Sequence, residues 1–207
     1  MRAAPAVAGT AALACGVALL LAAPSAGPPP SGPAVVDVLV LPPVGSADVA
    51  TGFEHGDGRI VTVAHLLPAG RARVLIHSGE GSARRARVVA VDRRDDLAVL
   101  ELPAGTPRPA PLPGSGAARL LVRRDGRTAA IEATVRRRID ARVRPGPRAA
   151  HVLRPALELE ARVRQGDSGA PLVAADGSLL GVLFAQSSGS SDTAYAVAAE
   201  RLGALAR

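Results

Sequence analysis

Hydrophobic residues in this chain fall in short runs rather than in long helical stretches. From residue 34 onward the runs are AVVDVLVL (34–41), RIVTVAHLL (59–67), RVLIH (73–77), ARVVAVD (86–92), LAVLEL (97–102) and RLLVRR (119–124). They continue with IEATVRRRI (131–139), HVLRPALELE (151–160), APLVAA (170–175), SLLGVLFAQ (178–186) and TAYAVAA (193–199). Turn-forming clusters such as HGDG, SGEG and AADG separate them. β-Branched runs of this length, with turn residues at this spacing, predict antiparallel strands in a barrel or sandwich. Only AAERLGALAR (198–207) reads as a helix. A Pro/Gly-rich segment, PAGTPRPAPLPGSG (103–116), divides the strands into two sets of similar size. The pattern predicts an all-β chain of two small β-barrels, 34–104 and 117–200, joined by a linker over 105–116, with a short C-terminal helix.

The segment before residue 34 follows different rules. Met1 and Arg2 precede an uncharged apolar run over 6–23, and small residues follow at Ser25, Ala26 and Gly27. That order is the grammar of a secretory signal peptide. The run also approaches the roughly 20 residues that span a bilayer, so a single membrane anchor through 6–23 is the competing fate. Cys15, the one cysteine, lies inside it and lacks the residue pattern of a lipidation site. Residues 1–27 are thus expected to be a signal peptide or anchor, 28–33 a Pro-rich linker, and the remainder a secreted or extracytoplasmic domain without disulfides.

Composition alters this picture only a little. Phe53, Phe184 and Tyr195 are the only aromatic residues, so the core must be built from Val, Leu and Ala. All 25 basic residues are arginine, and the formal net charge is +7. A surplus of that sign could face an anionic partner. No aromatic residues are interleaved with the arginines, which removes the stacking signature of single-strand nucleic-acid binding, and no nucleic acid is expected as a partner.

Candidate chemistry begins at RQGDSGAPL (164–172), where Ser168 stands either as a turn serine or as a nucleophile. A nucleophilic serine needs a base, an acid to orient it, and donors for the oxyanion. Of four histidines, His55 lies in a turn, His77 at a strand end, and His151 starts a strand without an acidic neighbour. His65 instead closes the run IVTVAHLL beside the small Ala64. The segment DRRDDLAVLEL offers Asp92, Asp95 and Asp96; Asp96, directly before an apolar strand, can point inward, while the other two read as turn and surface charges.

VTVAHLL, DDLAVLEL and QGDSGAPLV, in that order, resemble the three motif blocks of the chymotrypsin-fold (trypsin-like) serine peptidases. The flanks extend the resemblance: TGFEHGDGRIVTVAH is similar to the Gly-Phe strand and His strand of bacterial members, and the chain from 163 to 197 to the serine loop and the strands after it. The resemblance is strongest to the membrane-associated trypsin-like proteases of actinobacteria, and covers roughly 34–200. It implies two six-stranded antiparallel β-barrels and a serine endopeptidase acting on proteins or peptides as a monomer, with no cofactor and no metal. It further implies Ser168 as nucleophile, His65 as base, Asp96 as orienting acid and the N–H groups of Gly166 and Ser168 as oxyanion hole. Leu183, Phe184 and Ala185 match the edge segment on which a substrate strand would pair.

Two departures carry expectations of their own. Nothing at the start of the domain resembles an activation site whose new N-terminus could pair with Asp167. A buried, unpaired Asp167 would be costly, so an internal partner is expected among Arg119, Arg123 and Arg124. The position six before the serine, acidic in Arg/Lys-cleaving members, is Arg162, and a small or aliphatic residue is therefore expected on the acyl side of the cut. The rival reading is an inactive protease fold that holds an anionic cell-envelope partner through its Arg-rich stretch at 136–148. A lipase of the GDS type would carry its motif near the N-terminus of an α/β chain, unlike this one.

Overall fold

The computed structural model describes residues 32–56, 58–67, 72–79, 81–102, 117–144 and 149–205. The signal or anchor segment, most of the 28–33 linker, the 105–116 linker and residues 145–148 of the Arg-rich stretch lie outside the described residues. Among the described residues the architecture is all-β. β1 (Val35–Leu41), β2 (Asp48–Glu54), β3 (Arg59–Val63), β4 (Arg73–His77), β5 (Arg84–Asp92) and β6 (Leu97–Glu101) close a barrel in the order β1-β2-β3-β6-β5-β4. Every pairing within it is antiparallel.

The second half contains β7 (Arg119–Arg124), β8 (Arg127–Glu132), β9 (Thr134–Val143), β10 (Val152–Glu160), β11 (Pro171–Val173), β12 (Leu179–Gln186) and β13 (Thr193–Ala198). They form one sheet ordered β8-β7-β11-β12-β13-β10-β9. Here seven strands stand where the resemblance implies six. β8 and β9 are one run bent at the buried Ala133, whose N–H is held by the carbonyl of Ala118. The run therefore pairs with β7 at one end and β10 at the other, and the two edges of the sheet meet through the chain itself. β2 and the first four residues of β8 have no counterpart among the hydrophobic runs read from the sequence, because their Thr, Gly, Arg and Ala content breaks the apolar pattern; β2 enters there only through the resemblance to a Gly-Phe strand. The expected helix reduces to a 3-10 turn, Ala199–Arg201, and a single α-turn, Leu202–Leu205.

Burial explains why some runs are continuously apolar and others alternate. In β3 and β6, Ile60, Ala98 and Leu100 point into the first barrel. Val61, Val63, Leu97 and Val99 point out of it, into a cluster that also holds Leu121, Val173, Val182, Phe184 and Val197 of the second half. β11, β12 and β13 split their faces in the same way, with Leu172, Leu183 and Ala196 facing their own interior. Strands buried on both faces lose the polar half of the period-2 pattern. Those strands line the seam between the halves, and that seam is the shared core. β9, in contrast, exposes one arginine after another.

Phe53 is the largest fully buried side chain in the seam. Phe53→Ala should lower stability by about 3–5 kcal/mol. Because the core is common to both halves, urea unfolding followed by far-UV circular dichroism should remain a single transition.

Candidate active site

His65 follows β3 in a tight turn, and Asp96 opens β6 beside it, because β3 and β6 are paired from Arg59↔Glu101 to Val63↔Leu97. The His65 backbone N–H donates to Asp96 Oδ1 at 2.7 Å, and its ring Nδ1 lies 2.8 Å from Asp96 Oδ2. With Nδ1–H donating to the carboxylate, Nε2 is left as the free base. Asp96 is buried, while the imidazole is 41% exposed and so reachable by a substrate. Asp96 sits at φ +60, a left-handed conformation rare outside glycine, and its own carbonyl accepts the Ala64 N–H. The turn is thus held from both backbone and side chain.

Ser168 belongs to the other half, on the loop between β10 and β11. Its carbonyl accepts the N–H of Thr51 on β2 at 2.9 Å. The Thr51 hydroxyl donates to the Gly166 carbonyl at 3.2 Å and accepts the Arg123 N–H at 3.1 Å. The Thr51 carbonyl in turn accepts from the buried Thr62 hydroxyl at 2.8 Å. Gly169, at φ +88, is where the loop crosses this ladder: a Cβ there would lie 2.0 Å from Thr51 O and 2.6 Å from Thr62 Oγ1. Only glycine fits. Thr62 stands three residues before His65, so the serine loop rests on the strand that delivers the histidine. Among the described residues no hydrogen bond joins the Ser168 hydroxyl to the His65 ring.

The loop's N–H groups divide sharply. Those of Asp167, Gly169 and Ala170 are taken by Arg164 O, Leu183 O and Asp167 O. Those of Gly166 and Ser168 take no part in that set. Gly166, at φ +94, supplies the left-handed step that such a tight turn requires. Two donors in the serine loop without a partner among the described residues are what an oxyanion would need.

Asp167 is 1% exposed, and its partner is Arg124. The contact is a fork: Arg124 Nε to Oδ1 at 3.0 Å and Nη2 to Oδ2 at 2.6 Å, with the Arg164 N–H adding a third bond at 2.7 Å. The hydrogen bond to Asp167 raises the Arg124 pKa above the ordinary guanidinium value against the opposing effect of burial. Because it is raised, this contribution to stability is complete below the unfolded-state value and vanishes only in extreme alkali. Of the other candidates, Arg123 donates to Asp37 Oδ2 through Nε and Nη2 and to the Gly126 carbonyl. Arg119 is buried, with Nε and Nη2 lacking a partner among the described residues.

Other expectations need adjustment. Leu183 cannot take a substrate strand, because its N–H and C=O are already bonded to Ala170 O and Gly169 N–H. Phe184 turns its ring inward, 7% exposed and 6.4 Å from the Tyr195 ring. The edge past the bulge at Leu183/Ala185 remains. Asp95 is not a surface charge but 2% exposed, bonded to Arg201 Nε at 2.7 Å. His77 is not free either: its Nδ1 lies 3.3 Å from Asp37 Oδ2. Arg162 is exposed and bonded to Asp192 at 2.8 Å. Sequence reasoning missed Thr51, Thr62 and Arg154; a threonine immediately before Gly-Phe was the one available signal.

Comparison with known proteins agrees with this fold. A family model described as "Trypsin-like peptidase domain" matches residues 50–182, more than half of the chain and all three motif blocks. The chain belongs to the trypsin-like peptidase family. It is 32% identical over 169 residues to the serine protease Rv3671c of Mycobacterium tuberculosis H37Rv, and equally to serine protease MT3772 of strain CDC 1551. The match spans 76% of this chain and 41% of each relative, so the chain corresponds to well under half of their length. The crystal structure of the Rv3671c protease in its active form superimposes with a TM-score of 0.72 at 27% identity, covering 84% of this chain and 79% of that one. An HtrA-type protease, AlgW carrying S227A, shares the fold at TM-score 0.66 and 18% identity, covering 84% of this chain and 59% of that one.

Arg124→Met should lower stability by about 3–5 kcal/mol, because it leaves the Asp167 carboxylate buried without its cation. The double variant with Asp167→Asn should recover more than half of that loss, as read from urea midpoints.

Proposed function

We propose that this chain is an exported serine endopeptidase that cleaves peptide bonds through an acyl-enzyme. The observation that carries the reading is the doubly bonded His65–Asp96 pair, together with a serine loop that rests through Thr51 and Thr62 on the strand leading to His65 and whose Gly166 and Ser168 N–H groups have no partner among the described residues. Ser168 Oγ attacks the scissile carbonyl while His65 Nε2 takes its proton, and Asp96 holds the ring and stabilises the imidazolium. The negative oxygen forms against the Gly166 and Ser168 N–H groups. Collapse of that intermediate expels the amine, which receives the proton from His65; water then repeats the sequence on the ester. Substrates are proteins or peptides, laid against the β12 edge at Phe184 and Ala185, and neither cofactor nor metal enters the steps.

Arg162, solvated and paired with Asp192, offers no buried acid for a basic side chain, which supports a small or aliphatic residue on the acyl side. The apolar run over 6–23 supports export by cleavage or anchoring; among the described residues no helix is long and apolar enough to cross a membrane. The rival reading, an inactive fold binding an anionic partner, loses support from the pairing of Arg136, Arg137 and Arg138 with Glu160, Glu158 and Glu200. Those charges are already neutralised by neighbours.

Fluorophosphonate labelling of the purified domain tests the proposal. The wild type should be labelled, Ser168→Ala should not be, and His65→Ala should react at least about 10³-fold more slowly. A folded wild type that takes no label, or a labelled Ser168→Ala, contradicts it.

A further inference from the structure

Asp96 Oδ2 has a second neighbour besides the imidazole. Arg154, the third residue of β10, is 3% exposed, and its Nη1 lies 3.5 Å from that oxygen. The guanidinium is fixed from three other directions. Nε donates to the Arg94 carbonyl at 2.8 Å, Nη2 approaches the Arg93 carbonyl at 3.4 Å, and the Phe184 ring lies against it with its centroid 4.7 Å from Cζ. Both carbonyls belong to the turn that presents Asp96 in its left-handed conformation. A single side chain from the second half thus binds the backbone and the carboxylate of a turn in the first.

The charges facing this point can be enumerated. Asp92 caps the same turn through the N–H groups of Arg94 and Asp95. Asp95 is held by Arg201 from the C-terminal 3-10 turn. Arg93 turns away to the carbonyls of Ala64 and Leu67, and His65 completes the set. Burial lowers the Arg154 pKa from its ordinary value, while Asp96, Asp95 and Asp92 oppose that shift. A guanidinium stays charged through such a shift at any working pH.

We propose that Arg154 is a positioning residue for the His65–Asp96 pair: it locks the Asp96 turn in place and, through its charge, keeps the pair unprotonated to lower pH. The inference rests on the peptidase reading above. The pair carries charge −1 when His65 is a free base and 0 once it has taken a proton, so a cation within about 4–6 Å favours the base form. Wherever within the pair the proton sits, the sign is the same. The fork to the two carbonyls supplies the orientation that a point charge would not.

The test uses the full chain and the variants Arg154→Met, Arg154→Gln, Arg154→Lys and Arg201→Met. In Arg154→Met the acid limb of kcat/KM should move up by about one pH unit. Its kcat should fall tenfold or more while KM stays within a factor of two. Arg154→Lys should restore the limb but only part of kcat, and Arg201→Met, which unpairs Asp95 instead, should leave the limb in place. A proton NMR titration of the His65 ring in a Ser168→Ala background should show the same displacement when Arg154→Met is added. That readout needs no turnover, so an unlabelled, inactive wild type sinks the peptidase reading, whereas an unmoved ring titration sinks this one. If Arg154→Met does not fold, Arg154→Gln takes its place. Failure of both to fold assigns Arg154 to stability alone and overturns the proposal, as does a limb that Arg201→Met moves equally.

Discussion

Thr51 ties the two halves of this molecule together where the chemistry would occur. Its N–H, hydroxyl and carbonyl meet, respectively, the Ser168 carbonyl, the Gly166 carbonyl with the Arg123 N–H, and the Thr62 hydroxyl. All its polar groups are used, and the residue itself is fully buried. A serine loop supplied by one barrel must meet a histidine and an acid supplied by the other, and small errors of placement in such a site are costly in rate. The apolar seam sets the halves together but is non-directional. Directional precision at the serine loop comes from this threonine and from the glycine at 169 that lets the backbones touch.

Around that clamp, buried charge is handled by arginines rather than by chain termini. Arg124 satisfies Asp167, Arg201 meets Asp95, Arg123 meets Asp37, and Arg154 stands behind Asp96. Each joins segments distant in sequence, and a buried ion pair is strongly destabilised when one partner is removed. The serine loop is therefore held in shape by a side chain present throughout, with no new N-terminus needed to pair with Asp167. Many of the arginines are thus engaged in internal and interstrand ion pairs, which leaves the net charge of +7 unchanged.

Much of this was legible in the residues. The continuous apolar runs IVTVAHLL and LAVLEL mark strands buried on two faces, and those strands carry His65 and Asp96. The need of Asp167 for an internal cation followed from burial cost, and Arg124 is that cation. What escaped has a physical reason in each case. DVATGFE mixes polar and small residues because it lies under the serine loop, so the resemblance to a Gly-Phe strand marked it and its hydrophobic pattern did not. Asp95 is indistinguishable from its neighbours until the C-terminal turn brings Arg201 across to it. Leu183 reads as an available edge, yet the serine loop already occupies its backbone, and only the fold reveals that competition. Arg154 sits in a strand of alternating polarity, and its inward orientation depends on β10 facing the Asp96 turn.

The most direct test of this account is the effect of Thr51→Val on the fluorophosphonate labelling rate, measured where the variant is fully folded. Removing the hydroxyl leaves the Gly166 carbonyl and Arg123 N–H unpartnered, a loss of about 1–3 kcal/mol. Labelling should slow by about tenfold, corresponding to ~1.4 kcal/mol, and Thr51→Ser should restore most of it. A folded Thr51→Val chain labelled at the wild-type rate would contradict the claim that this threonine sets the serine loop.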